Sequence, residues 1–359
     1  MTKNTIARQG ATQILDDCGG RQVPGIQYTV VDADGILFEY SSGWSDIRNR
    51  TEMTLDTTLM AYSMTKTFTA AAVMQLAEQG KLSLEDEIDR YLPNTYSGHK
   101  ITVRQLLSHT SGIPNPIPLR WVHLAAEHAS FDENTALAEV LRNNAKLRYE
   151  PGQRFFYSNI GYWLLGKTIE TITGRSYAAH MRINVLQSLG LSAQEMDFEI
   201  AEPAYHANGY LAKYSLMNLL KGFVTDSKMW CDYEGRWLRL QNVSVNGPAF
   251  GGLVGSSHAF SRFLQDQLRK QSVLFSGETK RLFESQQATK EGRSIPMTLG
   301  WHMGKANGAT YFFKEGGGGG FHCEMRLYRT QGIGSVVMVN DTQFNSTKFL
   351  NRIDAALLC

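Results

Sequence analysis

Ser63 and Lys66 stand three residues apart in Ser63-Met64-Thr65-Lys66. On a helix that spacing stacks the two side chains on one face, a turn apart. A lysine amine so placed can take the serine proton and turn the hydroxyl into a nucleophile. The chemistry open to the pair is attack on an ester or amide carbonyl through a covalent acyl intermediate. The tetrapeptide does not decide the matter by itself. It recurs at Ser97-Gly98-His99-Lys100, where Gly98, soon after Pro93, reads as a turn. Ser63 also suits a plain helix N-cap.

A second group lies in Tyr157-Ser158-Asn159, the only Y-x-N in the chain. A phenol near lysines can have its anion held by their charge, since opposite charge favours the ionised form. The bland alternative is a core tyrosine with a hydrogen-bonded hydroxyl. Asn159 also fits a helix N-cap. A rival box, Ser244-Val245-Asn246, lacks comparable flanks. A third group is Lys314-Glu315-Gly316-Gly317, which opens into a glycine run ending at Gly320-Phe321. A glycine-rich edge strand would let a substrate lie against backbone; a flexible glycine hairpin is the alternative. His109, in Leu106-Leu107-Ser108-His109-Thr110-Ser111-Gly112-Ile113-Pro114, reads as a brace for its loop. His258, His302 and His322 read as core or surface residues.

The elements that must position these groups follow from periodicity. Phe68, Ala72 and Leu76 predict a buried helix over 63–79 that stops at Gly80. Its first turn would offer free N–H groups to developing negative charge. Helices are expected over 5–17, from Ser83-Leu84-Glu85-Asp86, and over 101–108, 133–145, 159–173, 258–270 and 345–358. Strands are expected over 26–31 and 36–40, joined at Asp32-Ala33-Asp34-Gly35, and over 296–303, 309–313, 322–329 and 333–339. Strands at both ends with helices between imply an α+β fold, one sheet built from both ends of the chain. The expected division is 1–80 with 241–359 around the sheet, and 81–240 as a mostly helical insertion.

Composition excludes several classes. The 359 residues carry 36 Lys+Arg against 34 Asp+Glu, so no basic face for nucleic acid is expected. No apolar run is long enough to cross a bilayer, and the first residues show no secretory signal. Cys18, Cys231, Cys323 and Cys359 are scattered and read as unpaired thiols. Together these lead us to expect a cytoplasmic enzyme. No Cys/His cluster, phosphate loop or G-x-G-x-x-G follows the required pattern, so neither metal nor cofactor is expected.

The boxes at Ser63–Lys66, Leu106–Pro114, Pro151–Tyr162 and Gly251-Gly252-Leu253 resemble, in order and spacing, the serine β-lactamase-like superfamily. That superfamily includes class C β-lactamases, D-Ala-D-Ala carboxypeptidases, D-aminopeptidases and family VIII carboxylesterases. The resemblance runs from about residue 20 to the end. It implies an antiparallel sheet flanked by helices, a helical domain, and a site in the groove between them. It implies Ser63 as nucleophile, Lys66 and Tyr157 as bases, and Asn159 as a ligand of Lys66 and of substrate. Lys314, Glu315, Gly316 and Gly317 would form the substrate-binding strand, with the N–H groups of Ser63 and Gly317 as oxyanion hole. The substrate would be a small ester or amide. The reading taken here is a carboxylesterase; a β-lactamase or D-amino-acid peptidase is the alternative, and a catalytically silent binding protein the remaining one. Glu315, where the family carries threonine, would partly neutralise Lys314 and repel a substrate carboxylate. The oligomeric state is not legible.

Overall fold

The computed structural model describes residues 3–18, 22–117, 121–224, 226–306 and 308–358. Its centre is a seven-stranded antiparallel sheet. In spatial order the strands are His302–Ala306, Ala309–Gly318, Phe321–Tyr328, Ile333–Val339, Gly25–Val31, Ile36–Asp46 and Thr51–Glu52. Early and late strands meet where Ile26 faces Val339. This is the expected α+β, β-lactamase/transpeptidase-like architecture.

The strand Gly25–Val31 is buried along its whole length, so the sheet must be covered on both faces. Ile26, Tyr28 and Val30 pack with Ala11, Leu15, Leu350 and Ile353 of the first and last helices, Lys3–Cys18 and Ser346–Leu358. The alternate residues Gln27 and Thr29 face the other way and are buried yet polar. They are satisfied: Gln27 donates to the Thr57 carbonyl at 2.7 Å and accepts from Ser257 N–H at 2.8 Å. Thr29 Oγ1 bonds Ser257 Oγ at 2.9 Å. On that face lies the main core, where Phe68 stacks on Phe263 at 4.2 Å between ring centroids.

Local chemistry sets most element ends as expected. Asp32 Oδ1 accepts from the N–H groups of Asp34 and Gly35, closing the first hairpin. Thr102 and Gln105 form a capping box that starts the Val103–Leu107 helix. Gly174, in the left-handed region at φ 66°, ends Asn159–Thr173.

Three expectations need correction. The Ser83–Asp86 stretch does not begin a helix. Asp86 accepts from Ser83 N–H and is also bonded by Arg90 and Tyr91, so its carboxylate closes a turn, and only a short 3₁₀ turn, Ile88–Arg90, follows. The strand expected over 296–303 starts only at His302, because Gly300 turns at φ 119° against Ala70 and Phe283. The strand expected over 309–313 runs on through the glycines to Gly318. Within 81–240 the chain also forms a small three-stranded sheet, from Tyr210–Ala212, Trp230–Glu234 and Trp237–Leu240. Cys18, Cys231 and Cys323 are free thiols; Cys359 lies outside the described residues. No helix among the described residues is long and apolar enough to cross a membrane.

Candidate active site

The helix Thr65–Glu78 is buried from Thr65 to Leu76, and a 3₁₀ turn, Tyr62–Met64, leads into it. Ser63 and Lys66 therefore sit at its entry, as expected. Lys66 Nζ donates to Ser63 Oγ at 2.9 Å and to the Phe250 carbonyl at 2.6 Å. Tyr157 Oη donates to the same Ser63 Oγ at 2.8 Å. One hydroxyl oxygen thus sits between an amine of the helix that its turn leads into and a phenol 94 residues further along the chain.

Lys66 is fully buried and its bonds go to a hydroxyl and a carbonyl, not to a carboxylate. Burial, and then the neighbouring charge of Lys314, push its pKa well below the usual lysine range. Lys314 is buried too, with Nζ lacking any hydrogen-bond partner, 5.4 Å from the Tyr157 ring centroid. Burial lowers its pKa to about 7. Tyr157 moves the opposite way. Burial pushes its hydroxyl well above the ordinary phenol value, outweighing the Ser63 bond. Loss of solvent thus works against the expected phenolate.

Asn159 opens its helix but does not cap it. Ser158 is the N-cap, its Oγ accepting from Gly161 N–H at 3.2 Å. Asn159 Oδ1 is buried without a partner, so it does not hold Lys66 as the resemblance implied. His109 braces its loop as expected. Its ring lies 4.4 Å from the Tyr157 ring, its Nδ1 accepts from Ser158 N–H, and its carbonyl accepts from Phe156 N–H.

The glycine run is a strand with steric reasons for its composition. A Cβ on Gly316 would collide with the Ala61 carbonyl and lie 3.0 Å from Ser63 N. One on Gly318 would lie 2.5 Å from the Tyr62 ring. Gly316 and Gly318 thus share a face with Lys314, against the turn that carries Ser63. Glu315 points to the opposite face. Its carboxylate bonds His322 Nε2 at 2.6 Å and Ser346 Oγ at 3.4 Å. The expected contact between Glu315 and Lys314 is therefore not made. Lys314 and Gly316 reach Ser63's surroundings; Glu315 reaches the groove only behind His322.

Four participants were not foreseen. Tyr62 precedes Ser63 at φ 42°, a conformation uncommon for a bulky residue, and its hydroxyl donates to the Gly319 carbonyl at 2.6 Å. Phe250 supplies the carbonyl for Lys66. Tyr162 sits under both lysines, 5.8 Å from Lys66 Nζ and 5.7 Å from Lys314 Nζ. His302, expected in core or surface duty, has its ring 6.0 Å from that of Tyr157 and a buried Nε2 without a partner. Burial, then Lys314 and Lys66, hold it well below its usual pKa. A Tyr directly before the S-x-x-K serine is the one local signal that was available.

The other boxes fall elsewhere. Ser97–Lys100 is a surface turn with Gly98 and Lys100 at positive φ. Asn246 of the rival box bonds His123. No group of three or more metal-type ligands occurs among the described residues. A groove of about 430 Å³, lined mostly by apolar side chains, meets the site at Tyr62, Phe250 and Gly317–Gly319. A separate cavity of about 350 Å³ near Glu195 and His258 contains none of the site residues.

A family model described as beta-lactamase matches residues 6–358. Protein flp of Staphylococcus aureus (strain MRSA252) is 29% identical over 214 residues, 58% of this chain and 42% of that protein. The chain thus spans less than half the length of that curated relative. Among solved structures, an octameric penicillin-binding protein homologue from Pyrococcus abyssi is 25% identical with a TM-score of 0.80, over 98% of this chain and 77% of that one. A D-amino acid amidase from Ochrobactrum anthropi, solved with D-phenylalanine, shares the fold at 20% identity and a TM-score of 0.77, over 98% of both chains. With its family model spanning residues 6–358, the chain belongs to the beta-lactamase family.

Proposed function

We propose that the chain is a carboxylesterase-like serine hydrolase that works through an acyl-enzyme on Ser63. One observation carries the reading: Ser63 Oγ lies 2.9 Å from a lysine amine and 2.8 Å from a phenol, and burial favours the neutral form of both. A neutral Lys66 has a lone pair for the Ser63 proton. As the proton moves, Oγ attacks the ester carbonyl. The oxygen that gains charge is received by the N–H groups of Ser63 and Gly317, donors of the kind usually worth several kcal/mol.

Tyr157 is suited to the next step because it is protonated at rest. Its hydroxyl proton passes to the departing alkoxide, and the proton on Lys66 replaces it. Water then enters, gives a proton back along the same pair, and attacks the acyl carbonyl. Ser63 Oγ leaves with that proton, and acid is released. Asn159 Oδ1 and Lys314 Nζ, both buried and unpartnered, are placed to receive polar groups of the substrate. Neither metal nor cofactor enters these steps.

A second reading, an amidase on substrates carrying an ammonium group, rests on the Glu315 carboxylate beside His322. The two differ in the leaving group and in the substrate's ammonium group, so one panel separates them. Purified protein is offered p-nitrophenyl butyrate, nitrocefin and a D-amino-acid anilide. The ester should turn over fastest. A fluorophosphonate should add one mass at Ser63, and Ser63→Ala should abolish both turnover and labelling. Full activity in Ser63→Ala ends the reading.

A further inference from the structure

The groove assigns an identity to one arm of the substrate. We propose that the chamber at the Gly318–Gly319 end of the glycine strand holds the acyl group, and that this group is large, uncharged and apolar: an aromatic or medium-chain aliphatic acyl. The leaving group then faces Lys314. The inference rests on the serine-hydrolase reading and adds the substrate class to it.

Direction along the strand comes from the proton donor. The leaving group must reach Tyr157, whose ring centroid is 5.4 Å from Lys314 Nζ. Lys314 therefore marks the leaving-group end. Gly317 N–H lies further along, where the carbonyl oxygen must point. Gly318 and Gly319 continue away from Lys314, roughly 3.3 Å per residue, and they line the chamber with Tyr62 and Phe250. Tyr157, Lys314 and Asn159 are not among its lining residues. A bound ester with its oxygen at Gly317 thus has one arm toward the buried amines and one arm into the chamber.

The walls determine what the second arm can be. Trp121, Val122, Leu211, Met229, Trp230 and Leu240 are among the apolar side chains that line it. Beside Gln241, three charged or polar side chains line the chamber, and those three are already engaged. Lys221 Nζ donates to Asn218 Oδ1 at 2.6 Å and lies 5.2 Å from the Trp230 ring. His322 bonds Glu315, and Thr342 donates to the Tyr210 carbonyl while accepting from Gly320 N–H. A carboxylate or ammonium in the chamber would lose water without gaining a free charged partner. Each methylene buried there is worth about 0.8 kcal/mol before ordering costs. A volume of about 430 Å³ lies within the ordinary range for small-molecule sites.

The test is an acyl-chain series on the wild-type enzyme: p-nitrophenyl acetate, butyrate, octanoate and benzoate, and an ester of a dicarboxylic half-acid. Octanoate or benzoate should exceed acetate in kcat/KM by about 10–100-fold, and the half-acid ester should be the poorest. Leu240→Trp, which fills the chamber beside Gly319, should lower the octanoate-to-acetate ratio about tenfold. Ser63 labelling by methyl- and octylphosphonofluoridates gives the same comparison without deacylation. If Ser63 reacts and acetate is the best ester, the chamber assignment is overturned while the hydrolase reading stands. If no probe labels Ser63, both fall.

Discussion

Two buried charged regions lie in this one sheet and are handled in opposite ways. At the Arg326 end, every charged group has a bonding partner. Arg326 and Glu324 are both 0% exposed and bond at 2.6 Å. Ser346 and Thr347 bond the other Glu324 oxygen, and Asp354 is held by Tyr28, Tyr328 and Ser335. At the Lys314 end two buried amines stand near each other with no carboxylate bonded to either. Paired charge ties the last helix to the sheet. Burial lowers the pKa of the amines that have no carboxylate partner, which favours their basic form. The same cost of desolvation therefore serves structure in one place and chemistry in the other.

The contrast breaks first at Lys66. Lys66→Met should lower kcat by about 10²–10⁴ while moving the melting transition little, because packing of methionine against the Tyr157, Tyr162 and Phe250 rings offsets the lost bonds to Ser63 Oγ and the Phe250 carbonyl. Steady-state kinetics and a thermal melt on the same sample check both halves. Near-normal turnover would show that Ser63 is activated from elsewhere.

Arg326→Met should do the reverse. It leaves Glu324 and Asp354 buried without their cation, a loss of about 3–5 kcal/mol of stability. Denaturant titration should show it. A midpoint unchanged from wild type would mean that the carboxylates are protonated or reached by water.

Lys314→Met sharpens the comparison, since the same replacement should now stabilise. The folded pKa is about 7 against an ordinary 10.5. Between those values the unfolded chain holds a proton that the folded chain lacks. Wild-type stability should therefore rise with pH from about 7 to 10.5 through this group, and be flat below. The gain from Lys314→Met should be greatest at or below pH 7 and vanish toward the upper end. Chemical denaturation at several pH values reads it, and turnover should fall in the same variant. A gain that grows with pH would contradict the sign.

The smallest effect is expected at Glu315. Its side chain is 43% exposed and its partner is His322. Glu315→Gln should change stability by no more than about 1 kcal/mol. If it instead removes activity, the carboxylate serves the substrate directly, and the ammonium-binding reading gains.

The sequence made Ser63 and Lys66 legible because helical spacing is local, and Tyr157 legible because its box has a fixed company of neighbours. The sheet was legible from alternating runs at both ends. Glu315 was misplaced beside Lys314 because a tripeptide read as a motif hides the two-residue period of a strand. Consecutive residues point to opposite faces, so Lys314 and Glu315 could not both face Ser63. Phe250 acts through its carbonyl, which any residue has, and Tyr162 looks like core because it is core. The unforeseen Gly300 turn lies within a run of strand formers, where one glycine was the only warning.

The pairing of Ile26 with Val339 has a consequence for how the molecule is made. The two residues are separated by roughly 300 others. At ~5–20 residues per second, synthesis of that interval takes roughly 15–60 s. Throughout it the strand Gly25–Val31 can form its hairpin with Ile36–Asp46, but its other edge has no partner. An apolar edge left open for so long is a template for pairing with a second nascent chain. Until Ile333–Val339 leaves the ribosome, that edge has to be shielded by something other than its own sheet.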